Sequence, residues 1–226
     1  MVLKRLALST ALAALLITPA VLAEGADQGP PIVGSVENFS RIDPSLPAPD
    51  DSFADVGGRI ISLADFRGKY LLLNLWATWC GPCVSEMPSL DRLQAALGSD
   101  NFAVLPISVD RGGAPLVTGF YDKHRISHLG VYVDPSNRIA HSMSVSGLPT
   151  SFLVGPDGRV VGALVGATDW DTPEAIALIA YYLKRQPNIT PIPVAPAPTP
   201  QVTPTSLRVA PQHLTPQRVG MGLSPL

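Results

Sequence analysis

The chain has 226 residues, 46% of them apolar and 15% charged, with 24 prolines, two cysteines and a formal charge of −2. That length holds one compact domain with appendages, or at most two small domains. Two cysteines exclude a disulfide-stapled miniature fold, and a single long apolar run, Leu6–Ala23, excludes a multipass membrane protein. No block of Lys or Arg is long enough to follow a phosphate backbone, which argues against nucleic-acid binding.

In chain order, residues 1–23 read as a secretory signal peptide. Lys4 and Arg5 precede an apolar stretch from Leu6 to Ile17, and Val21-Leu22-Ala23 supplies a small-residue cleavage pattern. An uncleaved anchor helix is the alternative. Both place the remainder outside the cytoplasm, and the periplasm is the expected location. Cleavage after Ala23 leaves 14 Lys and Arg against 18 Asp and Glu. Residues 24–45, with Gly25, Gly29, Pro30 and Pro31, are expected to be a flexible segment.

Residues 46–185 carry the pattern of a folded domain. Ser52–Ala54 and Arg59–Ser62 flank Asp55-Val56-Gly57-Gly58, a hairpin signal. Tyr70–Trp76, YLLLNLW, is a continuous apolar run suited to a strand covered on both faces. Met87, Leu90, Leu93 and Leu97 recur at spacings of three and four, which predicts a helix from Cys80 to Leu97. A strand at Phe102–Val109, a helix at Gly113–His124, a strand at Leu129–Val133 and a short helix at Asn137–Val145 follow. Ser151–Val154 and Arg159–Val165 flank Gly155-Pro156-Asp157-Gly158, a second hairpin signal. Thr172–Leu183 is an amphipathic helix. Alternating helices and apolar strands predict an α/β domain, and the two hairpins make its sheet mixed. Residues 186–226 alternate proline with small residues, so neither helix nor central strand is expected there, only a partly polyproline II tail. It would serve as a spacer, a docking strip or a dispensable extension.

Both cysteines fall in Trp79-Cys80-Gly81-Pro82-Cys83, where a buried strand meets a helix. A cysteine at a helix N-terminus faces unpaired backbone N–H groups and the positive end of the dipole. These favour thiolate over thiol and populate a nucleophile near neutral pH. Two intervening residues put the second thiol one turn inward, within reach of a disulfide. Proline at the second position suits a first helical turn, which does not need its N–H. The pair can therefore cycle between dithiol and disulfide. Three other readings compete. A structural disulfide here closes a minimal loop and stabilises little. A zinc site needs two further ligands, and a second cysteine pair is missing. An inert buried pair is disfavoured at a strand-to-helix turn, where α/β sheets place their ligand sites. His124 and His128 are read as exposed polar residues, and no metal site is expected.

WCGPC, preceded by an apolar strand and followed by a proline-bearing helix, resembles the thioredoxin superfamily. Ala48-Pro49-Asp50, Leu63-Ala64-Asp65-Phe66-Arg67-Gly68-Lys69 and Leu73-Asn74-Leu75-Trp76-Ala77-Thr78-Trp79 resemble the TlpA/ResA-like extracytoplasmic thiol–disulfide oxidoreductases. Gly147-Leu148-Pro149-Thr150-Ser151-Phe152 matches their second hallmark, a loop with a cis-proline beside the active site. The resemblance covers the whole folded part. It implies a thioredoxin-like fold, a mixed central sheet flanked by helices, with an N-terminal hairpin and an inserted strand-helix element within Phe102–Val133.

It also implies roles. Cys80 would be the nucleophile and Cys83 the resolving thiol, with no cofactor beyond their redox-active disulfide. Gly81 and Pro82 form the dipeptide of reducing thioredoxins. Pro149, between Leu148 and Thr150, would present its flanking backbone to an extended substrate. Trp79 would pack beside the cysteines and shield them, or be a large core residue. Pro88 would bend the active-site helix. Glu86 would handle the proton of the buried cysteine, or be a solvated helix carboxylate. Asn74 stands where cytoplasmic thioredoxins carry a buried aspartate, and an amide cannot accept a proton from Cys83. Ser108-Val109-Asp110 is read as structural.

The activity implied is reduction of protein disulfides. Electrons would come from a membrane thiol transporter, and the clients would be cysteine pairs such as those of apocytochrome c or copper-site proteins. A monomer is expected. An oxidant or isomerase of the same fold, a peroxidase and a copper-binding chaperone module are the rivals.

Overall fold

A computed structural model describes residues 29–185. The readings of a signal peptide and of a proline-rich tail lie outside the described residues. The chain opens with a 3-10 turn, Gly34–Val36, then β1 (Ser40–Pro47) and the hairpin of β2 (Ser52–Asp55) and β3 (Ile60–Ser62). After a second 3-10 turn come β4 (Tyr70–Trp76), α1 (Gly81–Leu97), β5 (Phe102–Ser108), α2 (Gly113–His124) and β6 (Tyr132–Val133). A short α3 (Arg138–Ser142), the hairpin of β7 (Thr150–Val154) and β8 (Arg159–Val165), and α4 (Pro173–Lys184) complete the domain.

The strands form one mixed sheet in the order β1-β8-β7-β4-β5-β6-β2-β3. β4 runs parallel to β5 and antiparallel to β7, so it is central, and all seven of its residues are buried. Its side chains alternate between the two faces, as the strand period requires. Leu72 and Trp76 join a core with Met87, Leu90 and Leu93 of α1, Val117 of α2 and Leu178 of α4. Leu71, Leu73 and Leu75 face the other way, onto Phe53, Ile139 and Phe152. Both predicted hairpins form. Asp55 Oδ1 accepts from the backbone N–H of Gly57 and Arg59 in the first, and Gly158 takes φ +72° in the second. The inserted element is the β5–α2–β6 crossover.

Three expectations need correction. The segment 24–45 is not loose where it is described. Val36 and Phe39 are buried in the core, and β1 pairs antiparallel with the edge of β8. The cue was weak because β1 is mostly exposed and holds two prolines, one of them following a cis Asp43–Pro44 bond. The strand expected over Leu129–Val133 shortens to β6, and α3 is shorter than Asn137–Val145.

His128 is exposed, as expected, whereas His124 is half-buried, and both have partners. His124 stacks on Phe120 with ring centroids 4.1 Å apart. His128 Nδ1 lies 3.0 Å from Asp91 Oδ2, while Asp91 Oδ1 accepts the backbone N–H groups of Ser127, His128 and Leu129. Burial pushes the Asp91 carboxyl up, but these donors outweigh it and hold the group below the usual carboxylate range. Among the described residues, no group of three or more His, Cys, Asp or Glu is arranged to hold a metal ion.

Phe39, one residue ahead of β1, lies closely over Gly162 of β8, where a Cβ would overlap its ring. Gly162→Ala is therefore expected to cost about 1–3 kcal/mol by overpacking, read as a lower urea midpoint with an unchanged slope. An unchanged midpoint would show that Phe39 does not lie over this glycine.

Candidate active site

Chain direction builds the site. β4 ends at Trp76, and the turn through Thr78 is anchored from the neighbouring strand. Asp110, just beyond β5, accepts the Thr78 backbone N–H at 2.8 Å and the Thr78 hydroxyl at 2.9 Å. Ser108 Oγ donates to the same carboxylate at 2.7 Å. Ser108-Val109-Asp110, read as structural, thus fixes the residues in front of the cysteine pair.

Cys80 is the N-cap of α1, and its Sγ accepts the Cys83 N–H at 3.3 Å. The capping sulfur takes the place of the oxygen that usually satisfies a first-turn donor. The two cysteines form a disulfide with Cα atoms 5.2 Å apart. Cys80 is 7% exposed and Cys83 0%, so the outer sulfur meets solvent first. Gly81 and Pro82 are exposed in the first helical turn, and Pro88 sits inside α1.

β7 brings the second hallmark alongside. Its register pairs Thr150 with Leu75 and Ser151 with Asn74, placing the 147–149 loop beside the end of β4. The Leu148–Pro149 bond is cis. Thr150 Oγ1 donates to Gly147 O at 2.7 Å and Pro149 O accepts from Gly166 N at 2.9 Å, so the loop is held from both sides. Cys80, Trp79 and Leu148 line one groove of about 660 Å³, whose far wall is Val109, Arg111, residues 135–137, Ala140, His141 and residues 145–147. Gly81, Pro82 and Thr150 are not among its walls. Trp79 is 71% exposed, which overturns its reading as a core residue; it forms a lip of the groove.

Glu86 lies one turn beyond Cys83 and is 2% exposed, so it is not a solvated helix carboxylate. Trp170 Nε1 donates to Oε1 at 2.6 Å, the Thr168 N–H to Oε1 at 3.3 Å, and Asn74 Nδ2 to Oε2 at 3.1 Å. Burial raises its pKa, and these three donors oppose the rise only in part, leaving it at about 7. Asn74 Nδ2 also donates to Ser151 Oγ, while its Oδ1 is buried with no partner. A crevice of about 180 Å³ lined by Ser85, Ala167, Thr168 and Asp169 gives onto Glu86. Trp170 and, in the groove, Arg111 and His141 were missed by sequence reasoning. They lie in loops or a short helix with no periodic or motif cue.

Fold and site together define a thiol–disulfide oxidoreductase of the thioredoxin superfamily. More narrowly, the chain belongs to the AhpC/TSA family, which it matches over residues 44–163. It is 34% identical over 119 residues to the thiol-disulfide oxidoreductase ResA of Bacillus cereus, spanning 53% of this chain and 68% of that protein. Against ResA of Bacillus subtilis it is 31% identical over 119 residues, 53% of this chain and 65% of the relative. A crystal structure from Chlorobium tepidum, assigned as the thiol:disulfide interchange protein DsbE, superposes with a TM-score of 0.55 at 28% identity. It covers 62% of this chain and 96% of its own. The exposed lipoprotein thioredoxin Etrx1 of Streptococcus pneumoniae gives 0.50 at 25% identity, over 61% of this chain and 100% of its own.

Proposed function

We propose that this oxidoreductase works as an exported reductase of protein disulfides. The observation that carries the reading is the N-cap position of Cys80, at the mouth of a groove it shares with Leu148, which precedes Pro149. In the dithiol form, the Cys80 thiolate attacks one sulfur of a client disulfide, and the client's other sulfur leaves as thiolate. Cys83 then attacks Cys80 Sγ, closing the enzyme disulfide and releasing the client as a dithiol. Two electrons pass to the client. A dithiol protein in the membrane restores them, because an oxidising compartment supplies no reductant of its own. Glu86 takes the proton from Cys83 as that buried thiol becomes the attacking thiolate. Clients are cysteine pairs of exported proteins, with apocytochrome c and copper-site proteins as the proposed classes.

Residues 1–23 supply the export signal in this reading. No helix among the described residues is long and apolar enough to cross a membrane.

Equilibration of the full chain against glutathione tests the direction of flux. A potential near that of thioredoxin, about −270 mV, is expected, and one near that of DsbA, about −120 mV, would overturn the reductase role in favour of an oxidant. Reduction of insulin without turnover of peroxide is expected to separate the protein from a peroxidase.

A further inference from the structure

The groove beside Cys80 is apolar along Trp79, Val145 and Leu148, but its one fixed charge is positive. Its lining holds the guanidinium of Arg111 and no Asp or Glu. Arg111 is exposed and forms no ion pair among the described residues. The acids next in sequence to the lining residues are turned inward and occupied. Asp110 holds Thr78 and Ser108, and Asp134 accepts from Ser136 Oγ and the Ile139 N–H. Both are buried, neither lines the groove, and neither forms an ion pair with the guanidinium.

This stands against the charge of the fold as a whole. Residues 29–185 contain 12 Lys and Arg and 16 Asp and Glu, so the positive groove is a local inversion. An uncompensated guanidinium on an apolar wall attracts carboxylate and repels ammonium, and it favours bidentate geometry. Such charges act mainly on encounter and on choice of partner.

We infer that the groove selects client segments with an acidic side chain within a few residues of the cysteine that meets Cys80, and that Arg111 is the specificity-determining residue. The inference rests on the reductase reading and names the client chemistry that reading leaves open.

The test uses the full chain in its dithiol form and two synthetic disulfide peptides, identical except for Glu or Lys beside the cysteine. At low ionic strength the Glu peptide should be reduced about fivefold faster, with the gap narrowing as salt is added. Arg111→Glu should reverse the order, and Arg111→Gln should bring the two rates together. Equal rates with the native protein, or a Glu preference that survives Arg111→Glu, would overturn the inference while leaving the reductase reading intact. Reduction of neither peptide would overturn that reading and this inference with it.

Discussion

Replacing Cys83 with serine is expected to stop catalysis after its first half. Cys80, still capping α1, attacks the client disulfide, but no second thiol remains to release it. Turnover should fall to the uncatalysed rate while a mixed disulfide accumulates, visible as a shifted band on a non-reducing gel and confirmed by mass. Cys80→Ser should lose turnover equally and trap nothing, because Cys83 is fully buried behind it. The asymmetry carries the argument. If the two variants trapped client equally, the order of attack drawn from the N-cap geometry would be wrong.

Glu86→Gln should flatten a pH dependence that the native protein shows in both stability and rate. In the fold the Glu86 pKa is raised from 4.5 to about 7. The stability supplied by its proton is fully present below 4.5, where the unfolded chain is protonated too, and is lost as pH rises through 7. The total is about 3 kcal/mol, so urea unfolding of the native protein should weaken from pH 5 to pH 8. Without a titrating group, the glutamine variant should not follow that decline. The same change removes the acceptor proposed for the Cys83 proton, and resolution of the mixed disulfide should slow about a hundredfold. A merely structural Glu86 would alter stability alone. A variant whose resolution rate keeps the native pH profile would refute the proton-handling role.

Much of this was legible in the sequence where one interaction dominates. A strand buried on both faces is largely apolar, and every residue of YLLLNLW but Asn74 is; both hairpin turns carry glycine. WCGPC and GLPTSF marked the site by what they carry: two sulfurs two residues apart at a helix start, and a proline that follows a cis bond. What escaped notice depends on partners distant in sequence. β1 is held by pairing with β8 and by Phe39 lying over Gly162, neither of which leaves a periodic trace. The environment of Glu86 is made by Trp170, Thr168 and Asn74, brought together by tertiary packing alone. The exposure of Trp79 inverted the usual expectation for a large aromatic residue, because its ring lies at the rim of the groove beside Cys80 and not in the core.

The three residues after β5 face two ways. Asp110 points inward and braces the turn ahead of Cys80, whereas Val109 and Arg111 on either side form groove wall. On the client preference inferred above, changing every second letter of one tripeptide would alter which proteins the enzyme serves while its chemistry stays as it was.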